Sequence, residues 1–269
     1  MDGEELQSRK GGNFLFVMGK SNKTIWIRKK KTTKTIPFTD QDLSASVVGH
    51  FMEIARKFPN QVAIKSAHQS ITYLNLDQRS SRMARFLVAS LGLTQQPVAL
   101  LIEDKADMTV AILAVIRAGH FYSALRPTDP PARLTNLLND FGTSILLVSE
   151  GMLPLANEIA PAGCRVVTDF EATDPDDSPF LIPITPDSLT GIFYTSGSTG
   201  EPKGVPQSHQ SLLLSAKLVG LYLRYGPEDR ELLMHPFSSA TSISSIFNVL
   251  LNGYTLIVIV HGVCNATIL

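Results

Sequence analysis

Cysteine is scarce: Cys164 and Cys264 are the only two in 269 residues. They are too few for a disulfide scaffold, and no paired Cys or His spacing suggests a zinc site. The usage fits a reducing compartment, and a cytoplasmic protein is expected. An excess of either charge is missing too. Lys plus Arg and Asp plus Glu each number 24, so the formal net charge is zero and nothing global points to nucleic acid or an anionic membrane. No secretory leader is read at the start: Met1 to Lys10 is polar and acidic, and the apolar Phe14 to Met18 is too short for one. The longest apolar stretch, Ile243 to Val260, is broken by Ser244, Ser245, Asn248, Asn252 and Gly253. That pattern predicts a buried helix followed by a buried strand rather than a membrane span. What remains is 44% hydrophobic and 18% charged, which excludes a disordered chain and is enough for one large α/β domain or two small ones.

Residues 1–40 differ from the rest. Lys20, Lys23, Arg28, Lys29, Lys30, Lys31 and Lys34 form a basic run without an acid among them. It is read as a solvated, poorly ordered extension in preference to a nucleic-acid patch or a localisation signal. The boundary is placed near Pro37 to Asp42. Beyond it, helical and strand patterns alternate. Helices are expected over Val47–Phe58, capped by Ser44 or Ser46, and over Leu76–Leu91, Asp107–Ala118, Pro130–Phe141 and His209 to about Leu223. Gly92, Gly119 and Gly142 supply three of the stops. Strands are expected at Val62–Lys65, Ile71–Tyr73, Pro97–Ile102, Phe121–Leu125, Ser144–Ser149, Arg165–Thr168 and Leu189–Thr195. Mostly apolar strands alternating with helices predict the α/β class, with mostly parallel sheets flanked by helices on both faces. Ligands of such sheets bind at the carboxyl ends of strands.

One segment carries chemistry. The apolar strand Gly191-Ile-Phe-Tyr194 runs into Thr195-Ser-Gly-Ser-Thr-Gly200 and then Glu201-Pro-Lys-Gly204. Gly197 and Gly200 permit positive φ and clear space for a close ligand. Successive backbone N–H groups in such a turn can cradle an anion. Thr195, Ser196, Ser198 and Thr199 add hydroxyl donors, and Lys203 adds a positive charge suited to phosphate. The spacing is not that of a Walker A loop, a Rossmann GxGxxG or a GxSxG nucleophile elbow. A plain Ser/Gly linker would not explain the strand before the turn or the Pro202-Lys-Gly after it.

The stretch Tyr194–Gly204 resembles the phosphate-loop pattern of the adenylate-forming superfamily: acyl-CoA synthetases, luciferases and adenylation domains of non-ribosomal peptide synthetases. Every specified position of Tyr-Thr-Ser-Gly-Ser/Thr-Thr-Gly-x-Pro-Lys-Gly is filled. The segments Ile71-Thr-Tyr73-Leu-Asn-Leu76 and Ala114-Val-Ile-Arg-Ala-Gly119, with Tyr122, Pro127, Pro130 and Arg133, are similar to two further family segments. There Ala124 stands where proline is usual and Arg126 where aspartate is usual. The resemblance covers about residues 45 to 260. It implies a partial AMP-binding domain over 41–260, the N-terminal portion of the large domain. The tail 261–269 matches no family motif.

The resemblance implies that a small carboxylic acid attacks the α-phosphate of Mg-ATP and that the acyl-adenylate passes to coenzyme A or a carrier protein's phosphopantetheine. Thr195, Ser196, Gly197, Ser198, Thr199, Gly200, Lys203 and Gly204 would hold the β- and γ-phosphates. His209, His235, Phe237 and Ala240 would line the carboxylate or acyl pocket, with a purely structural role an equal reading for His209. Relatives run to roughly twice this length. By analogy the adenine-binding segment, the magnesium-holding acid and the C-terminal domain with the catalytic lysine are absent, so no catalytic residue or metal ligand is assigned. Two expectations follow: an adenylating ligase in complete form, or a non-catalytic remnant that keeps the fold and binds nucleotide or a partner. In amino-acid-activating relatives a Phe-Asp pair meets the substrate's α-ammonium. Here the matching positions are Ser239 and Ala240, or Phe237 and Ser238 with a two-residue gap, and neither pair supplies a carboxylate. An acid without an α-ammonium group is therefore expected, because a buried unpaired ammonium costs several kcal/mol.

Overall fold

The computed structural model describes residues 14–18, 24–28, 46–168, 176, 178–196, 202–223 and 225–258. The chain divides into two compact units, Met1–Lys34 and Thr35–Leu269. In the first, β1 (Phe14–Met18) and β2 (Thr24–Arg28) pair antiparallel, from Phe14 opposite Arg28 to Met18 opposite Thr24. The sequence reading assigned no element here, but the aromatic and β-branched residues of FLFVM and TIWIR favour strands. Most of the basic run, the expected boundary at Pro37 to Asp42 and the tail 261–269 lie outside the described residues.

The second unit opens with α1 (Val47–Lys57), whose first turn is capped by the Ser46 side chain accepting from Gly49 N. Then come β3 (Val62–Lys65), β4 (Ser70–Thr72), α2 (Tyr73–Leu91), β5 (Pro97–Leu101), α3 (Lys105–Arg117) and β6 (Phe121–Ala124). Next are α4 (Pro131–Phe141), β7 (Ile145–Val148), a 3-10 turn (Glu150–Met152), α5 (Leu153–Ile159) and β8 (Arg165–Val167). The described part closes with β9 (Leu189–Ser196), β10 (Pro202–Ser208), α6 (His209–Leu223), β11 (Arg230–Leu233), α7 (Ala240–Asn252) and β12 (Thr255–Val258). The expected helices and strands are present with shifted ends, and caps set the shifts. Tyr73 opens α2 rather than closing a strand because Thr72 Oγ1 accepts from Asn75 N at 3.2 Å. α3 starts two residues before the expected Asp107 because Asp104 Oδ1 accepts from Ala106 N and Asp107 N.

A six-stranded sheet runs β10-β9-β6-β5-β7-β8, parallel except for the edge pair β9–β10. A four-stranded sheet runs β11-β12-β3-β4, with only β3–β4 antiparallel. Alternation along β5 shows how both faces of the larger sheet are covered. Val98 and Leu100 join the main core with α1, α2, α3, α6 and α7. Ala99 and Leu101 join a second core built on Leu134, Leu138 and Phe141 of α4 and Ala156 and Ile159 of α5. The main core also takes Ile64, Ile71, Leu233 and Leu256 from the smaller sheet, so one apolar cluster serves both sheets. Arg117, fully buried, ties the layers together. Its guanidinium donates to Asp77 and Ser81 of α2 and to the Phe180 carbonyl. Gly119 turns the chain after α3 at φ +74, where a Cβ would stand 2.6 Å from Ile182 Cδ1.

Candidate active site

β9 enters the larger sheet beside β6, parallel to it, with Gly191 opposite Tyr122. Glycine is required at that point: a Cβ would lie 3.0 Å from the Tyr122 carbonyl and 3.2 Å from its ring. The amino end of β9 is held by Gln95, whose amide donates to the Leu189 and Gly119 carbonyls at 3.2 Å and accepts from Leu189 N. Because β9 is parallel to β6 and the strands beyond it, its far end, Thr195–Ser196, reaches their carboxyl edge, where the sequence reading placed the phosphate loop.

β10 returns antiparallel along β9, pairing Pro202 with Ser196, Lys203 with Thr195 and Gly204 with Tyr194. The register brings Thr195, Lys203 and Gly204 together. Thr195 and Lys203 are exposed, and Thr195 Oγ1 donates to the Lys203 carbonyl at 3.4 Å. Gly204 has a packing reason of its own: a Cβ would stand 2.9 Å from Ile192 Cγ2 and 3.6 Å from the Tyr194 ring. Tyr194 is anchored below the turn by its hydroxyl, which donates to Asp140 Oδ2 of α4 at 2.7 Å; burial and the carboxylate push its phenol above the ordinary range. Sequence reasoning did not find the Asp140 and Gln95 anchors, because their partners lie 54 and 94 residues away. Gly197, Ser198, Thr199 and Gly200 lie outside the described residues, as does the side chain of Ser196.

The four pocket candidates lie on the segments that follow β10. His209, the first residue of α6, is fully buried. Its Nδ1 accepts from Val47 N, at the start of α1, at 3.2 Å, so the proton sits on Nε2. Burial lowers the imidazole to about 4, which keeps it neutral. His209 thus joins two helix starts. His235 and Phe237 sit between β11 of the smaller sheet and α7, and Ala240 opens α7. Phe237 is in the core, while His235 and Ala240 are exposed. Ser239 caps α7, accepting from Ser242 N, and Ala240 is that helix's first residue. α6 leaves β10 and packs on α7.

Among the described residues no group of three or more His, Cys, Asp or Glu converges. None of the described helices is long and apolar enough to cross a membrane.

A family model described as "AMP-binding enzyme" matches residues 51–267. The chain belongs to the AMP-binding enzyme family. Its curated relatives include surfactin synthase subunit 1 of Bacillus subtilis, 32% identical over 216 residues that make up 80% of this chain and 6% of that protein. Nonribosomal peptide synthetase sidD of Aspergillus fumigatus is 36% identical over 204 residues, 74% of this chain and 10% of that one. Among solved structures, the AMPPNP-bound form of the nonribosomal peptide synthetase FmoA3 (S1046A) aligns with a TM-score of 0.72 at 25% identity, covering 84% of this chain and 24% of that one. The NpsA N-terminal subdomain of Klebsiella oxytoca, in complex with 3-hydroxybenzoyl-AMSN, shares the fold with a TM-score of 0.73 at 23% identity, over 83% of this chain and 56% of that one. The chain thus spans 6% and 10% of the length of these two curated relatives. At the two positions where it departs from the AMP-binding pattern, Ala124 ends β6, buried in the main core, and Arg126 pairs with Asp129 at 3.0 Å, which Arg133 also approaches at 3.4 Å.

Proposed function

We propose that this chain supplies the phosphate-holding part of an adenylation domain, which activates a carboxylic acid with ATP and passes it to the thiol of coenzyme A or of a carrier protein's phosphopantetheine. The observation that carries the reading is the β9–β10 hairpin: it sets an exposed Lys203 beside Thr195 at the carboxyl edge, at the two ends of the Ser-Gly-Ser-Thr-Gly turn. In the reaction a carboxylate oxygen bonds to the α-phosphorus while the bond from that phosphorus to the bridging oxygen breaks. A mixed anhydride forms and pyrophosphate departs with the electron pair. Lys203 and the backbone N–H groups of the turn stabilise the charge that gathers on the leaving pyrophosphate. His209 acts by holding α6 against α1, not by proton transfer.

The substrate is an acid without an α-ammonium group. Support comes from His235–Ile243, where no carboxylate occurs and where Ser239 and Ala240 are used to cap and open α7. ATP binding by calorimetry and pyrophosphate–ATP exchange with aryl, fatty, keto and α-amino acids test the reading. Lys203→Ala should weaken ATP binding roughly ten- to a hundredfold, the scale of one lost charged hydrogen bond. Equal affinity in the unaltered and Lys203→Ala chains would remove the hairpin from the site. Preference for an α-amino acid would overturn the substrate class. ATP binding without exchange would favour the second expectation, a remnant that holds nucleotide without turning it over, for which the 56% coverage of the NpsA subdomain is the motive.

A further inference from the structure

Helix α4 carries near its end a residue that its own element disfavours. Asp140 is the last residue but one of Pro131–Phe141, and the last turn holds no lysine or arginine. A carboxylate there meets the negative end of the helix dipole, which favours a cation. Asp140 is also exposed, and through Tyr194 it stands one residue from Thr195, at the edge read as an anion site, where a negative charge repels phosphate. Neither placement favours an acid. The offsetting contact is the hydrogen bond that the Tyr194 hydroxyl donates to Asp140 Oδ2 at 2.7 Å, across 54 residues of sequence. A hydroxyl-to-carboxylate bond of this length is of the stronger, charge-assisted kind. It reaches both strands of the hairpin. Ile192 and Tyr194 of β9 pack on the second core beside Leu138 and Phe141 of α4. The Tyr194 ring lies across β10 as well: a Cβ on Gly204, its partner in register, would stand 3.6 Å and 3.9 Å from the ring's Cε1 and Cζ. Successive residues of a strand alternate between faces, so Thr195 and its partner Lys203 fall on the face away from α4. The carboxylate therefore holds the hairpin from behind, on the face opposite the one that presents Lys203.

We propose that Asp140 is a positioning residue for the phosphate hairpin: through the Tyr194 ring it fixes where Thr195 and Lys203 stand against the rest of the carboxyl edge. The proposal rests on the nucleotide reading given above and adds to it the residue that sets the hairpin's place. α4 is a firm reference for that purpose, because Leu134, Leu137, Leu138 and Phe141 seat it in the second core. Asp140 acts through its acceptor oxygen and not through its charge, which by itself would weaken the binding of a phosphate.

Loss of the acceptor and loss of the charge change affinity in opposite directions. The test measures ATP affinity of the full 269-residue chain by calorimetry, with the melting temperature of each variant alongside. Asp140→Ala and Tyr194→Phe should each weaken ATP binding about three- to tenfold, the scale of one hydrogen bond. The double variant should be no weaker than either alone, because both changes break the same contact. Asp140→Asn removes the charge but keeps an oxygen that accepts from the phenol, so it should bind ATP at least as tightly as the unaltered chain. All four should melt close to the unaltered chain. A merely structural role gives the reverse pattern, lower melting temperatures with the affinity of the folded chain unchanged. Lys203→Ala reports on the nucleotide reading itself: equal affinity there, or no ATP binding by the unaltered chain, is the failure of that reading and takes this proposal with it. ATP binding that Lys203→Ala weakens and Asp140→Ala leaves unchanged or strengthens overturns the positioning role alone. So does an Asn variant as weak as the Ala variant, or additive losses in the double variant. Should Asp140→Ala fail to fold, Tyr194→Phe, which keeps the ring on Gly204, decides in its place by the same criterion.

Discussion

His209 shows how one side chain sets a pH limit. In the folded chain its imidazole is neutral, accepts from Val47 N and is lowered to about 4 by burial, whereas an unfolded histidine titrates near 6.5. Because the folded value lies below the unfolded one, the stability His209 contributes is fully present above about pH 6.5. It is lost as the pH falls toward 4, when the unfolded chain binds a proton that the folded chain refuses. Between pH 7.5 and pH 5 the loss should be about 2 kcal/mol. Asparagine can offer Oδ1 to the same N–H without titrating. His209→Asn should therefore keep most of the stability at neutral pH and flatten the slope, as urea midpoints at the two pH values would record. His120, also lowered by burial, leaves a residual slope of the same sign in the variant. The residues at the head of the hairpin were legible in the sequence, since Thr195, Lys203 and Gly204 belong to one contiguous run whose spacing has a chemical reason. The partner of His209 was not, because it lies 162 residues away and no local pattern records it.

At the scale of elements, β10 shows position overriding composition. Pro202-Lys-Gly-Val-Pro-Gln-Ser has two prolines and a glycine, a composition that argues against a strand. It forms one because it is the outermost strand of its sheet, where a residue without an N–H costs no ladder bond. α5 was missed for its shortness and β11 for its lack of alternation, while the helices of eleven residues or more were legible from period and caps. Two substitutions probe how elements are held. Gly191→Ala forces a Cβ against the Tyr122 carbonyl and should separate β9 from β6, costing about 1–3 kcal/mol in chemical denaturation. Asp77→Ala strands the buried Arg117 and should cost about 3–5 kcal/mol. Adding Arg117→Met should recover much of that loss, an outcome that a merely local role for Asp77 would not produce.

For the whole of the second unit, strand order decides which strand ends lie side by side, and strand order is where sequence reading stops. The alternation of helix and strand was enough for the α/β class. That β9 would fall between β6 and an antiparallel edge strand depends on contacts between segments far apart in the chain. The shared core has a measurable consequence. Ile64, Ile71 and Leu256 of one sheet and Val98, Leu100 and Leu147 of the other lie in one cluster, so neither sheet can open alone without exposing the other. Native-state hydrogen exchange should give the amides of β3 and β12 the same opening free energy as those of β5 and β7. A gap of several kcal/mol between the two sets would show that the sheets are separate cooperative units.

The pairing of Ser196 with Pro202 fixes the span that residues 197–201 must bridge, whatever their sequence. Chain statistics then separate two roles that substitutions confuse. Doubling such a connection from five to ten residues raises its closure cost by only about 0.6 kcal/mol. Five serine and glycine residues inserted after Gly200 should therefore leave the melting transition almost where it was. The same insertion dilutes the N–H groups over a larger volume and should abolish ATP binding. A hairpin closed by seven paired positions leaves the length of the connection between its strands free to be set by what that connection binds, and hardly at all by the stability of the fold beneath it.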